Sequence, residues 1–119
     1  MFSNRLNPPI SLYIRNNSDY RAVICWGGSE VPLGGLSAKM DIKENERSST
    51  ILLSLTTENE MIKLDNTAGT IEIVLPYSVT SEITWQRGSF DLILYSTLTE
   101  EVYYAFGGNI FVTKGITKL

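Results

Sequence analysis

The feature that most constrains this chain is an alternation of apolar and polar residues with a period of two. It is clearest in "LSAKMDIK", where Leu36, Ala38, Met40 and Ile42 take one side and Ser37, Lys39, Asp41 and Lys43 the other. Successive side chains of an extended strand point to opposite faces, so this pattern reads as a strand with one face in a core and one in water. The same phase runs through Ile10, Leu12 and Ile14, then through Ala22, Ile24 and Trp26. "ILLSLTT" puts Ile51, Leu53 and Leu55 inward with Leu52 outward, and "TIEIVL" puts Ile71, Ile73 and Leu75 inward.

Turn-forming residues separate these runs at short intervals: "NNSD" at 16–19, "GGSEVPLGG" at 27–35, the polar loop "KENERSS" at 43–49, and "DNTAG" at 65–69. Asp, Asn and Gly in the last of these predict a tight hairpin. Seven to nine short strands at this spacing predict an all-β antiparallel sandwich or barrel. The stretch "LPYSVTSEITWQRG" at 75–88 breaks the alternation. It predicts one helical turn at most, near 78–84, started by Ser78 with Glu82 near its positive end, because Thr80, Ile83 and Thr84 are β-branched.

Composition then narrows the classes of function. At 119 residues the chain is long enough for one domain with a full core, divided here into an N-terminal segment 1–17 (an added strand or an assembly arm) and a sandwich at 18–119. A net charge of −3, with Lys and Arg scattered, argues against a nucleic-acid surface. The single cysteine, Cys25, excludes an internal disulfide, and its apolar run "YRAVICW" predicts a small buried hydrophobe. No run reaches the roughly 18 to 20 apolar residues of a membrane-spanning helix. The N-terminus does not read as a signal peptide, so synthesis in a cytoplasm is expected.

The residues that carry most enzyme chemistry are missing. There is no histidine, which removes the commonest general base and metal ligand and excludes Ser–His–Asp and Cys–His arrangements. The glycines of "GGSEVPLGG" lack the Lys-Ser/Thr ending of a phosphate loop. Glu72 and Asp91 are the carboxylate pair to test for glycoside hydrolysis, although both take the outward phase of strands, where a charge ordinarily just solvates a sheet. Glu58, Asp65, Glu100 and Glu101 lie in or beside turns without the spacing of a calcium loop. No catalytic residue, metal ligand or cofactor site is therefore assigned, and the chain is expected not to be an enzyme. Among the aromatics, Trp26 takes the core phase, while Tyr77, Trp85 and Tyr104 are candidates for stacking on a sugar.

The C-terminal stretch "SFDLILYSTLTEEVYYAFGGNIFVTKGIT" carries more apolar residues than one buried face needs. With Phe90, Leu92 and Leu94 inward, Ile93 and Tyr95 stand outward beside Asp91. Ile110 and Val112 inward leave Phe111 outward, and the Tyr103–Tyr104 pair places one aromatic on each side. Ile93, Tyr95, Tyr103 and Phe111 are thus the candidate subunit-interface residues. Either a neighbour or another part of the same chain covers them.

Taken in order, the runs "DYRAVICW", "PLGGLSAKMDIKEN", "ILLSLTTENEMIKLD", "GTIEIVL", "FDLIL" and "EVYYAFGGNIFVTKGIT" resemble small proteins of bacteriophage and prophage structural gene clusters. The likeness spans about residues 18 to 117 and lies in order and spacing rather than in any one motif. It looks like the immunoglobulin-like N-terminal domain of phage baseplate upper proteins. Two positions depart from that pattern: Asn59, Glu60 and Met61 stand in a turn that often holds Gly, and Phe90 replaces a Tyr. The resemblance implies an immunoglobulin-like sandwich acting as a non-enzymatic virion component. That component would be a tail or baseplate subunit or adaptor, bound to other virion proteins in repeated copies of a symmetric assembly. Any receptor-binding module is then expected on another protein. A host-glycan-binding module and a capsid decoration protein of the same fold are the alternatives.

Overall fold

The computed structural model describes residues 9–26 and 32–119. Eight strands and one short helix follow in chain order: β1 (Ile10–Arg15), β2 (Tyr20–Cys25), β3 (Ser37–Lys43), β4 (Ile51–Thr56), β5 (Ile62–Asp65), β6 (Thr70–Leu75), α1 (Tyr77–Thr80), β7 (Arg87–Tyr95) and β8 (Val102–Thr113). They form a five-stranded sheet of order β1-β8-β7-β3-β4 and a three-stranded sheet of order β2-β6-β5. This is an immunoglobulin-like sandwich: β3, β7 and β8 form the central trio of one sheet with β4 added outside it, and β2, β6 and β5 form the other. One pairing is not antiparallel. β1 runs parallel to β8, with Leu12 beside Ile110 and Ile14 beside Val112, so the first and last strands close one edge of the large sheet.

The alternation read from the sequence builds the core. Ala38, Met40 and Ile42 of β3, Leu92 and Leu94 of β7, and Ile71, Ile73 and Leu75 of β6 are all buried, and Leu12 and Ile14 join them from β1. Fully burying one such side chain stabilises the fold by about 1.5–3 kcal/mol, so the two inner faces supply most of the driving force. Phe90 and Phe106 meet edge to face with ring centroids 6.2 Å apart, a geometry favoured by the ring quadrupoles.

Among the described residues two bulges interrupt the alternation. In β4, Ile42 pairs with Leu53 but Lys43 pairs with Ile51, leaving Leu52 as the extra residue. That turns Ile51 outward, to 46% exposed, and tucks Leu52 against the core, reversing both expectations for that stretch. In β8, Leu92 pairs with Phe106 while Ile93 pairs with Tyr104, so Ala105 is extra. An added residue on one strand shifts every later side chain to the other face.

The irregular segment holds one helical turn, beginning at Tyr77 after Pro76 rather than at Ser78. Its cap comes from far away in sequence. The Tyr77 amide donates to Asp19 Oδ1 at 2.7 Å, and Thr80, fully buried, donates its hydroxyl to the Ser18 carbonyl at 2.7 Å. Glu82 lies beyond this turn and does not interact with its positive end. At the β5–β6 hairpin the prediction holds: the Gly69 and Ala68 amides both donate to Asp65, at 2.8 and 2.9 Å. The turn at 57–60 uses Asn59 instead of Gly. Its side-chain oxygen accepts from the Thr56 and Met61 amides, and Glu60 takes φ 66°.

Candidate interaction surface

Strand register arranges the outer face of the large sheet in rows. At one end Tyr13 pairs with Phe111, which pairs with Arg87. The Tyr13 and Phe111 rings stack at 5.5 Å with planes 20° apart, and the Arg87 guanidinium lies 5.5 Å from the Phe111 centroid. This is within cation–π range. The next row is small and polar: Ser11, Asn109 and Ser89, with Lys43 at its far side. Beyond it come Gly107, Asp91, Asp41 and Ser54, then Tyr104, Ile93 and Lys39, and finally Val102 and Tyr95. Tyr13 is 68% exposed, Val102 62% and Tyr104 42%. Aromatic and aliphatic surface therefore stands at both ends of the face, with a polar band between.

The polar band is concave. A groove of about 670 Å³ is lined by Asp41, Asp91, Asn109, Gly107 and Tyr104 among others. Gly107 makes its floor, because a Cβ there would lie 2.8 Å from the Phe90 carbonyl oxygen and 3.0 Å from the Tyr104 hydroxyl. Asp41 and Asp91 are direct cross-strand neighbours, a placement that carries a like-charge cost. The Ser54 hydroxyl, donating to Asp41 at 2.6 Å, offsets part of it.

Of the four interface candidates, Ile93, Tyr95 and Phe111 stand on this outer face, each half-buried among its row neighbours. Tyr103 does not. The bulge at Ala105 sets it opposite the buried Leu94, where it packs against the core, and its hydroxyl donates to Glu101. Tyr104 takes the outward place instead. The three candidate sugar-stacking aromatics do not share a platform. Tyr104 walls the groove, Trp85 lines a separate hollow with Glu44, Asn45 and Leu52, and the Tyr77 hydroxyl accepts the Leu119 amide at 3.2 Å.

Other candidate sites are dispersed. Glu72 pairs with Arg21 on the outer face of the small sheet, while Asp91 points away from the large one. The whole core separates them, so they cannot flank one glycosidic bond. Among the described residues no three His, Cys, Asp or Glu side chains converge on a common point. Cys25 is exposed rather than buried: its register places it beside Thr70 on the outer phase of β2, opposite to Ala22 and Ile24. Part of the 27–35 loop lies outside the described residues; within it, Asn66 Oδ1 accepts from the Leu33 and Gly34 amides at 3.0 Å. No helix among the described residues is long and apolar enough to cross a membrane.

Comparison with protein-family models finds no match, and comparison with curated proteins finds none either.

Sequence reasoning missed Tyr13, Arg87 and Gly107. The first has a visible signal, an aromatic on the outward phase of "ISLYIR". The other two matter only through their cross-strand neighbours, Phe111 and Asp91.

Proposed function

We propose that this chain is a non-enzymatic structural protein of a bacteriophage virion. It is a tail or baseplate subunit or adaptor that binds neighbouring virion proteins through the outer face and edges of its five-stranded sheet. The observation that carries this reading is the row of Tyr13, Phe111 and Arg87, with Tyr104 and Val102 beyond the groove, all on one sheet face. Exposed aromatic side chains gathered on one sheet face often mark a protein contact, and aromatic side chains with Arg are the residues enriched at such contacts. The resemblance of the order of runs to that of phage baseplate proteins supports the virion context, and the absence of histidine supports a role without turnover. The chain is then made in the host cytoplasm and ends in the particle. Changing Tyr13 and Phe111 together to Lys is expected to leave a folded protein that is not incorporated when particles assemble. Normal incorporation of that double variant refutes the interface.

A second reading, binding of a host glycan, is favoured by one observation: Tyr104 stands beside Asp41, Asp91 and Asn109, groups that hydrogen-bond hydroxyls. Glycan-array binding that Tyr104→Ala abolishes is its expected result, and a blank array removes it. Location in an imaged particle separates a tail position from a capsid decoration role.

A further inference from the structure

The outer face of the large sheet is complementary to itself. Along β7 the outward residues are Arg87, Ser89 and Asp91, and their partners on β8 are Phe111, Asn109 and Gly107. A cationic and aromatic ridge, Arg87–Phe111–Tyr13, thus lies on one side of the Ser89–Asn109 row. A carboxylate-lined hollow, floored by Gly107, lies on the other. Each is two residues from that row, about 7 Å along the strand. A half-turn about an axis lying across the strands along this row exchanges the two sides. It sets Arg87 over the Asp91 of a second copy, and the Phe111 ring over the Gly107 of that copy, against the Tyr104 hydroxyl that stands beside this glycine.

We propose that this face pairs with the same face of a second copy of the chain, about a two-fold axis crossing Ser89 and Asn109. The proposal rests on the reading of this face as a contact surface and names its partner. Two-fold contacts use the same patch on both subunits, so they require each feature and its complement at equal distances from one line. A different protein partner imposes no such spacing. The charges agree as well. Asp41 and Asp91 oppose one another across strands, and a guanidinium arriving from the second copy relieves that repulsion. Lys43 sits in the axial row and meets its own mate, but it shares the groove with Asp41 and Glu46, which offset that contact. Small residues on the axis, Ser89 and Asn109, let the two sheets approach.

Sedimentation equilibrium and light scattering over a concentration series test this, with the full chain. The wild type is expected to dimerise, more weakly as salt rises. Arg87→Glu and Asp91→Arg are each expected to weaken dimerisation by at least about tenfold, since each juxtaposes like charges twice. Mixing the two variants is expected to restore a heterodimer, because Glu then meets Arg at one contact and the native pair survives at the other. Circular dichroism verifies that both variants fold. A wild-type chain that stays monomeric at high concentration overturns the proposal, and so does a mixture that stays monomeric. A monomer whose Tyr13 and Tyr104 resist surface labelling until residues 1–8 are removed puts the chain's own terminus on the face, which also overturns it. If the chain is monomeric yet Phe111→Lys blocks its incorporation into particles, the self-pairing falls and the functional reading stands. If it dimerises as expected but is not found in particles, the reverse holds.

Discussion

Gly108 is the point where the first and last strands meet, and replacing it with Ala should peel β1 from the sheet. A Cβ at Gly108 would lie 1.8 Å from the Ile10 carbonyl oxygen and 2.7 Å from the Ile10 nitrogen. A carbon and a carbonyl oxygen rest no closer than about 3.3 Å, so β1 must retreat roughly 1.5 Å at Ile10. That stretches a normal ladder bond of about 2.9 Å well past hydrogen-bonding range. Forcing an extra methyl into packed structure costs about 1–3 kcal/mol, and losing two ladder bonds costs about 1–3 kcal/mol more. A loss near 4 kcal/mol is therefore expected, on the order of 15 °C in Tm for a domain of this size. Hydrogen exchange should show the loss first at the β1 amides, since β1 is an edge strand held by β8. Gly35→Ala is the control: nothing lies within 4 Å of a Cβ there and only φ +76° opposes it, so about 1 kcal/mol is expected. If Gly108→Ala melts within about 5 °C of wild type with β1 still protected, the steric argument is wrong.

Three further outcomes follow from single groups. Glu60 holds φ 66°, so Glu60→Gly should leave Tm unchanged or raise it slightly, whereas Glu60→Val should lower stability by about 1–2 kcal/mol; equal melting of the two variants refutes the strain. Burial raises the Tyr20 pKa above its ordinary value of 10.0; the unfolded chain then loses that proton first, so stability contributed by Tyr20 is complete below about pH 10 and falls as pH rises further. Alkaline denaturation should be less steep in Tyr20→Phe, and superimposable curves contradict this. Cys25 is exposed, so a thiol reagent should titrate it in the native protein within minutes; a requirement for denaturant would place it inside.

The legibility of this fold varied with the kind of information each feature needs. Alternation is local: Met40, Ile42, Ile71 and Ile73 have only to fall on one phase of their own strand to be read as core, and all four are fully or almost fully buried. The same rule puts Cys25 on the outer phase, opposite to Ala22 and Ile24, and phase rather than the hydrophobicity of its neighbours decides its exposure. The Asp65 turn was equally plain, because its hydrogen bonds close within four residues.

What the sequence by itself determined, then, is a set of half-buried strands and the turns between them, because a strand's faces are set by a two-residue period. The tertiary structure decided which faces meet and where the period breaks. Whether Tyr103 or Tyr104 points outward depends on the extra residue at Ala105, and that residue exists only relative to the pairing of Leu92 with Phe106. β1 became a parallel edge strand because Gly108 lets the Ile10 backbone approach. Phe111 and Gly107 face the same way by the period of their own strand, but only the pairing with β7 sets Arg87 and Asp91 beside them, and a cross-strand neighbour is a fact of register that no single strand contains.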